Sequence, residues 1–350
     1  HLDTMVELRA RLEATGKAED WSRVPKVHGI PVYLDLSESI EKRRRLTRAF
    51  FEFASAITYD LVRDCRRMGV SWGETMSNLI DAIDEHTAGV TEMTSDLKVV
   101  VPLIGEPPTG VTSEYSATLL AERLLRAIPH DPETVERLTL RYVHSFVSED
   151  LARHFCAADT AKGIPTALDY YRVVSSYSRI FGPATDDGAV PLVQSLDAII
   201  TSLSRDGVPW GIQTQEAERK GRTPSNRKSD MLPSDVKIVE AVEALAIGDI
   251  CGVLLPFEGA NQGQLATLQA RWTGIQPGQL AQLAKRAVEH NQPGVIVVAF
   301  GVEKVNTTLA ALRGGYVNHL VIGERLAQGL LNALPKTAIQ AGNQNNEKEK

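Results

Sequence analysis

The stretch RMGVSWGETMSNLIDAI, residues 67–83, decides the fold class because a short apolar strand, a turn of small residues and a helix follow one another in it. The small side chains of Ser71 and Gly73 let the backbone turn tightly and approach another group closely. N–H groups in the first turn of a helix lack partners inside that helix and carry partial positive charge. This pattern predicts a strand–turn–helix unit with an anion-binding turn.

Two interpretations of this turn remain open from the residues alone. In the first, hydroxyl groups of Ser71 and Thr75 join the backbone N–H groups in binding a phosphate or carboxylate. In the second, Ser71 and Glu74, three residues apart, form an ordinary capping box. The turn has neither the GK[ST] of a P-loop nor the GxGxxG of a dinucleotide site, so neither nucleotide motif is indicated.

The alternation of strand and helix extends along the chain. Other apolar runs rich in β-branched residues predict strands at 29–36, 97–105, 140–147, 196–203, 249–257, 294–301 and 319–323. Stretches with helical periodicity lie between them, at 41–66, 75–87, 114–128, 235–247, 277–290 and 303–313. This order predicts an α/β fold with a mostly parallel sheet and helices on both faces. Ligands of such folds bind at the loops beyond the carboxyl ends of the strands.

The composition limits the classes of function. The 350 residues are 43% hydrophobic, carry a net charge of -6 and include no apolar run long enough to cross a membrane. Acidic balance argues against nucleic-acid binding by these residues themselves. The cysteines Cys65, Cys156 and Cys251 form no CxxC pair, and the histidines show no ligand spacing. We therefore expect a cytoplasmic chain that holds no metal ion and no cofactor.

A lysine near the start of a helix is the second candidate. In VVAFGVEKVNTT, residues 297–308, a buried strand ends at Gly301 and Lys304 opens the next helix. A cation there opposes the helix dipole, so helix stability does not explain it. Binding of an anion at the strand ends does explain it, whereas a solvated surface lysine is the alternative.

Acidic and hydroxyl side chains follow two other predicted strands. After the strand that ends at Gly105, a helix is expected to open near Ser113. Gly105, Glu114 and Ser116 are candidates to contact a polar ligand; for Glu114, a role in the helix's first turn is the alternative. Glu258 follows the predicted strand 249–257 and is a candidate to hold sugar hydroxyls, or else a solvated loop residue.

Two basic stretches have simpler explanations. The cluster EKRRRLTR, residues 41–48, is interpreted as one exposed helical face rather than as a DNA contact. The long polar segment 211–235 is interpreted as a surface loop or lid.

Taken in order, five phrases resemble those of the effector-binding domain of SorC-type transcriptional regulators, the sugar-binding relatives of the DeoR group. They are GVSWGET, VVPLIGEPPTGVTSEYSATLLAERL, LAIGDICGVLL, ARWTGIQPGQLAQL and VAFGVEKVNTTLAALRGGYVNHLVIGE. The resemblance covers roughly residues 25 to 332. It implies a Rossmann-like domain, related to sugar-phosphate isomerases and glucosamine-phosphate deaminases, that binds a sugar or phosphosugar and catalyses nothing.

The resemblance also assigns roles by matching position. It implies that a phosphate is held by Gly73, Glu74, Thr75 and Lys304. The loop and helix after the PLIG strand correspond to Glu114, Tyr115 and Ser116, and the nearest match to the family's hydroxyl-binding acid is Glu258. The chain departs from the family in having Ser116 for asparagine, Pro256 for aspartate, TSLSRDG in place of a GIG-type turn, and an inserted segment at 160–192.

The predicted organisation has three parts: a linker helix at 1–24, the effector-binding domain at 25–335 and a flexible tail at 336–350. The resemblance implies a helix-turn-helix domain upstream that binds operator DNA, and a homo-oligomer, either dimer or tetramer. The leading hypothesis is an allosteric sensor of a sugar or phosphosugar. The alternatives are a sugar-phosphate isomerase or deaminase on the same fold, and a sugar-binding protein that acts without DNA.

Overall fold

The structure is a computed structural model. It describes residues 2–33, 38–89, 95–106, 115–140, 143, 145–146, 171, 174–183, 188, 190–208 and 240–335. The predicted loop 211–235, the tail and Glu114 lie outside these residues.

The described helices and strands alternate along most of the chain. The helices, α1 to α9 in chain order, are Leu2–Ala18, Ile40–Val62, Glu74–Thr87, Ala117–Ala127, Ser175–Phe181, Gln262–Ala270, Pro277–Glu289, Val305–Arg313 and Glu324–Ala333. The strands, β1 to β8, are Lys26–Ile30, Arg67–Val70, Val99–Pro102, Ala198–Thr201, Ala246–Ile250, Val253–Pro256, Gly294–Ala299 and His319–Gly323. Short 3-10 turns lie at Leu192–Gln194 and Val302–Lys304.

Six strands form one sheet in the order β1-β8-β7-β4-β2-β3, and every pair in it is parallel. The predicted parallel sheet is therefore confirmed. Strand β3 lies on one side of β2, at the edge of the sheet. Strand β4 lies on the other side of β2, and β7 and β8 follow it in the opposite direction across the sheet. The crevice between β2 and β4 is thus the point where the direction of winding reverses, which is where α/β sheets bind ligands.

Helices cover both faces of the sheet, as predicted. Alternate residues of β7 point to opposite sides: Val297 belongs to one apolar cluster and Val298 to the other. The first cluster includes residues of α1, α7, α8 and α9, and the second includes residues of α2, α3 and α4. Burial on both faces explains why the strands read as continuous apolar runs in the sequence.

The predicted single strand 249–257 is wrong. Instead, β5 and β6 pair as a two-stranded antiparallel hairpin outside the main sheet. Cys251 and Gly252 connect them with φ angles of 53° and 78°, as the tight hairpin turn of type I′ requires. The carboxylate of Asp249 accepts a hydrogen bond from Gly252 N at 3.0 Å and closes this turn.

Other differences concern shorter segments. Residues 140–147 were predicted as a strand, but in the described part only an isolated antiparallel bridge from Phe146 to Trp272 appears. The helices α5, α6 and α9 were not predicted. The N-terminal helix α1 packs against the domain, since Leu8 and Leu12 are buried and Arg11 donates to Leu331 O at 2.8 Å. In the ranges described above, none of the helices combines the length and apolar character needed to span a membrane.

Candidate functional site

A cleft of about 1230 Å³ opens at the carboxyl ends of the central strands. Its wall is built from α2, the start of α3, the loops after β2, β4 and β7, and the β5–β6 turn. The lining residues are Ile40, Arg43, Arg44, Thr47, Arg48, Phe51, Glu52, Ser71, Trp72, Gly73, Glu74, Thr75, Asn78, Asp81, Ala82, Glu85, Ser202, Leu203, Ser204, Arg205, Asp249, Cys251, Phe300, Glu303 and Lys304. The predicted residues Ser71, Gly73, Glu74, Thr75 and Lys304 are therefore brought together.

The floor of the cleft lies at the crevice between β2 and β4. Just beyond the end of β2, the Ser71 hydroxyl is buried and 2.9 Å from the Thr201 hydroxyl at the end of β4. This pairing uses the Ser71 side chain, and the N-cap of α3 is Gly73, without a side-chain cap. The capping box between Ser71 and Glu74 is therefore not formed, and that interpretation of the turn is wrong.

The start of α3 faces the cleft with its backbone. Gly73 has a φ angle of +114°, a conformation that L side chains rarely adopt. Its own N–H donates to Tyr115 O at 3.1 Å, and the first helical hydrogen bond runs from Ser77 N to Gly73 O. The N–H groups in the first turn of a helix, here including that of Thr75, have no carbonyl acceptor within the same helix. They give this wall a positive partial charge suited to an oxyanion.

Lys304 is the buried cation of the cleft, with 7% of its surface exposed. Its Nζ donates to Ser202 Oγ at 3.2 Å and lies 5.8 Å from the centre of the Phe300 ring. Burial lowers the pKa of this amine to about 8, although the charges of Glu303 and Asp249 act in the opposite direction. The solvated-lysine alternative is therefore wrong.

The carboxylate of Asp206 connects the loop after β4 to the start of α8 through four hydrogen bonds. Asp206 Oδ1 accepts from Thr307 N and from Thr307 Oγ1, both at 2.7 Å. Its Oδ2 accepts from Asn306 N and Asn306 Nδ2, both at 3.0 Å. This capping of α8 fixes Ser202 and Lys304 on the same side of the cleft.

Aromatic rings form an apolar part of the lining. The Phe51 and Phe300 rings meet edge to face with centroids 5.7 Å apart, and Trp72 meets Trp272 in the same way at 5.8 Å. Flat apolar surface beside hydroxyl and carboxylate groups is the usual composition of a small-molecule site.

Helix α2 contributes a basic wall. Arg43, Arg44 and Arg48 line the cleft. Arg44 and Arg48 are exposed and Arg43 is half-buried, which agrees with the interpretation of the cluster 41–48 as an exposed helical face. Arg48 Nε is 3.1 Å from Glu52 Oε1. The helical pattern alone does not specify that packing on α3 turns part of this face toward the cleft.

Three predicted residues do not line the cleft. Gly105 is buried, and Ser116 caps α4 by accepting from Leu119 N at 3.3 Å. Glu258 is exposed, and its charge acts on Arg313 at the far end of α8 from Lys304. Glu114 lies outside the described residues.

The hairpin explains why Glu258 lies away from the cleft and why another acid, Asp249, lines it. Because β5 and β6 run in opposite directions, the turn at Cys251 meets the cleft while the end of β6 points away from it. Asp249, 5% exposed, lies beside this turn and lines the cleft. The glycine of the DICG phrase was the feature that would have indicated a turn.

Acidic side chains are spread around the cleft rather than grouped. Across the described segments, no set of three or more His, Cys, Asp or Glu residues is arranged to hold a metal ion. Cys251 is a buried free thiol whose pKa is raised by burial. The arrangement suits binding of an oxyanion and hydroxyl groups by nitrogen donors and carboxylate acceptors.

A family model described as "Putative sugar-binding domain" matches residues 223–332 of this chain. The matched part includes the β5–β6 turn and Lys304. No curated protein sequence matches the chain significantly.

Solved structures of bacterial regulators are similar over nearly the whole chain. A transcriptional regulator from Streptococcus pneumoniae TIGR4 is 18% identical, with a TM-score of 0.58 over 95% of this chain and 99% of that one. A domain of a possible sugar-binding transcriptional regulator from Arthrobacter aurescens TC1 is 20% identical, with a TM-score of 0.54 over 93% and 96%. The full-length sorbitol operon regulator SorC from Klebsiella pneumoniae is 16% identical, with a TM-score of 0.52 over 93% and 80%. The chain thus has the fold of the sugar-binding domains of SorC- and DeoR-type transcriptional regulators, as the five sequence phrases predicted.

Proposed function

We propose that this chain is the effector-binding domain of a bacterial transcriptional regulator and that its effector is a sugar or phosphosugar. The observation that carries the proposal is the buried Lys304 amine beside the uncapped start of α3, at the crevice between β2 and β4. A buried ammonium group is costly unless it acquires an anionic partner, and an oxyanion bound here supplies one. The similarity to regulator domains supports the same role.

Hydrogen-bond acceptors in the cleft favour a ligand with hydroxyl groups. Glu303 lines the cleft, and its Oε2 atom is buried without a hydrogen-bond partner in the described residues. The carboxylate of Asp249, at the β5–β6 turn, also lines the cleft. Hydroxyl groups of a sugar would donate to such carboxylates, whereas a simple anion would be repelled by them.

In the proposed mechanism the effector closes the cleft and changes the relative stability of two arrangements of a homo-oligomer, a dimer or tetramer. Operator DNA is bound by a helix-turn-helix domain upstream of residues 25–335, in the cytoplasm. The effector shifts DNA affinity only to the extent that it binds one arrangement more tightly than the other. No step of this mechanism consumes the effector.

A thermal-shift screen of sugars and their phosphates tests the proposal. A ligand that binds only the folded chain stabilises it by about 2.7 kcal/mol at a hundred times its Kd, so at least one sugar phosphate is expected to raise the Tm. NMR of the ligand after incubation is expected to show no new product. Failure of every compound would contradict effector binding, and appearance of an isomer or a deaminated sugar would favour the enzyme instead.

A further inference from the structure

Helix α2 presents an arginine to the cleft whose Nε atom lacks an acceptor among the described residues. Arg43 is half-buried and lines the cleft. Its Nε atom is shielded from solvent, and the described residues provide no hydrogen-bond acceptor for it. Buried N–H groups in folded proteins are almost always paired, so an unpaired one at a cleft wall indicates a partner from outside the chain.

Two neighbouring cations on the same helix, Lys42 and Arg48, are paired with carboxylates. Lys42 Nζ is 2.7 Å from Glu38 Oε1, and Arg48 Nε is 3.1 Å from Glu52 Oε1. No ion pair of this kind involves Arg43 within the residues that the structure describes. Arg43 differs from the exposed Arg44 and Arg45, which also form no ion pair among the described residues, because its Nε is buried at the cleft wall and can meet an anion there.

Helix stability does not account for a cation at this position. The N-cap of α2 is Ser39, whose hydroxyl accepts from Lys42 N, so Arg43 lies at the beginning of the helix. Positive charge near a helix N-terminus is unfavourable because the dipole is positive there. A cation at this position, with a buried Nε for which the described residues offer no acceptor, is expected to serve binding.

Arg43 and Lys304 are separated along the cleft. Arg43 precedes Phe51 by eight residues, about 12 Å along a helix at 1.5 Å per residue. Phe51 in turn contacts Phe300, over which the Lys304 amine lies at 5.8 Å. The cleft volume of about 1230 Å³ exceeds the roughly 300–1,000 Å³ of ordinary ligand pockets. A ligand that extends from the strand ends to α2 therefore fits.

We propose that the effector carries two anionic groups on one polyhydroxylated skeleton, one bound by Lys304 and the start of α3, the other by the Arg43 guanidinium. The planar fork of an arginine suits a phosphate or a carboxylate equally. The effector class is therefore a sugar bisphosphate or a phosphorylated sugar acid. This inference rests on the proposed function, because it assigns the far end of the same cleft.

Calorimetry with matched ligands tests the inference. The probes are monophosphates and bisphosphates of glucose, fructose and ribulose, together with 6-phosphogluconate. The wild-type chain is expected to bind one doubly anionic probe about tenfold or more tightly than its monophosphate, the size of one charge-assisted contact. The Arg43→Gln variant is expected to lose that preference and to keep the affinity for the monophosphate. Arg45→Gln, on the same helix but outside the cleft lining, is the control and is expected to behave as wild type.

The outcomes separate this inference from the proposed function. Equal affinity of the wild-type chain for single and double anions would overturn the inference, as would an Arg43→Gln variant that binds both classes as the wild type does. A variant that loses both classes equally, with an unchanged Tm before ligand is added, would show that Arg43 shares a single anion with Lys304 and would also overturn it. Failure of the wild-type chain to bind any probe would instead overturn effector binding itself.

Discussion

Replacement of Lys304 by methionine should make the protein more stable and abolish anion binding. The change removes the ammonium group and keeps an unbranched apolar side chain of similar length. Burial lowers the pKa of Lys304 from 10.5 to about 8, so the charged form at pH 7 costs the folded state about 3 kcal/mol at 1.36 kcal/mol per unit. Lys304→Met removes this cost, although it leaves Ser202 without its hydrogen bond, which offsets about 1 kcal/mol.

The lowered pKa of Lys304 also predicts how the stability of the wild-type chain changes with pH. Between pH 8 and pH 10.5 the unfolded chain binds more protons than the folded chain at this residue, so wild-type stability gains from Lys304 as the pH rises through that window. The stability advantage of Lys304→Met is therefore largest below pH 8. It falls by about 3 kcal/mol as the pH rises to 10.5, where the lost hydrogen bond to Ser202 leaves the variant slightly less stable than wild type. Affinity for an anionic effector should fall as the pH rises through about 8, because the amine loses its proton.

Urea denaturation at several pH values measures the stability, and calorimetry with a sugar phosphate measures the affinity. Lys285→Met, at an exposed position on α7, is the matched control and is expected to change neither. A Lys304→Met variant that is less stable than wild type and binds the sugar phosphate equally well would refute the reasoning.

Three other substitutions test particular parts of the structure. Gly73→Ala is expected to lower the free energy of unfolding by about 1–3 kcal/mol, because residue 73 has a φ of +114°, and to weaken phosphosugar binding. The control is Gly278→Ala in α7, where a methyl group has space, and denaturation should show it to be neutral or stabilising. Asp206→Ala removes four hydrogen bonds at the start of α8, and we expect a loss of about 1–3 kcal/mol together with weaker effector binding; full affinity would contradict the positioning role. Burial lowers the pKa of His319, 3.0 Å from His28, to about 4, so stability should fall by about 1–3 kcal/mol as the pH drops from 6.5 toward 4. His319→Gln should lose the larger part of this dependence in pH-resolved unfolding, and the part that remains comes from His28, whose pKa burial also lowers.

The sheet was predictable because strands that are buried on both faces appear in the sequence as continuous apolar runs. The run at Gly294–Ala299 is entirely apolar apart from its glycine, and the prediction for His319–Gly323 matches the observed strand at both ends. The hairpin at Cys251 was missed because its two short strands read together as one apolar run. Only the glycine at 252 distinguishes the turn from a continuing strand.

Part of the site was predictable for a local reason and the rest was not. Lys304 was identified because a cation at a helix start conflicts with the dipole, and that conflict is visible in the sequence. The β5–β6 hairpin brings Asp249 to the cleft, the contacts of Asp206 place Ser202 there, and the packing of α2 places Arg43 there. Each of these arrangements depends on contacts between residues far apart in the chain. Glu258 became a candidate because it follows the predicted strand 249–257. In the hairpin, β6 runs away from the cleft, so Glu258 lies outside it.

The position of a bound effector tests the central claim most directly. A crystal structure of the chain with a sugar phosphate that raises its Tm would show where the ligand lies. We predict a phosphate within hydrogen-bonding distance of Lys304 Nζ and the first N–H groups of α3, with sugar hydroxyls facing Glu303 or Asp249. A ligand bound outside the cleft between β2 and β4, or one whose phosphate avoids Lys304, would contradict the account.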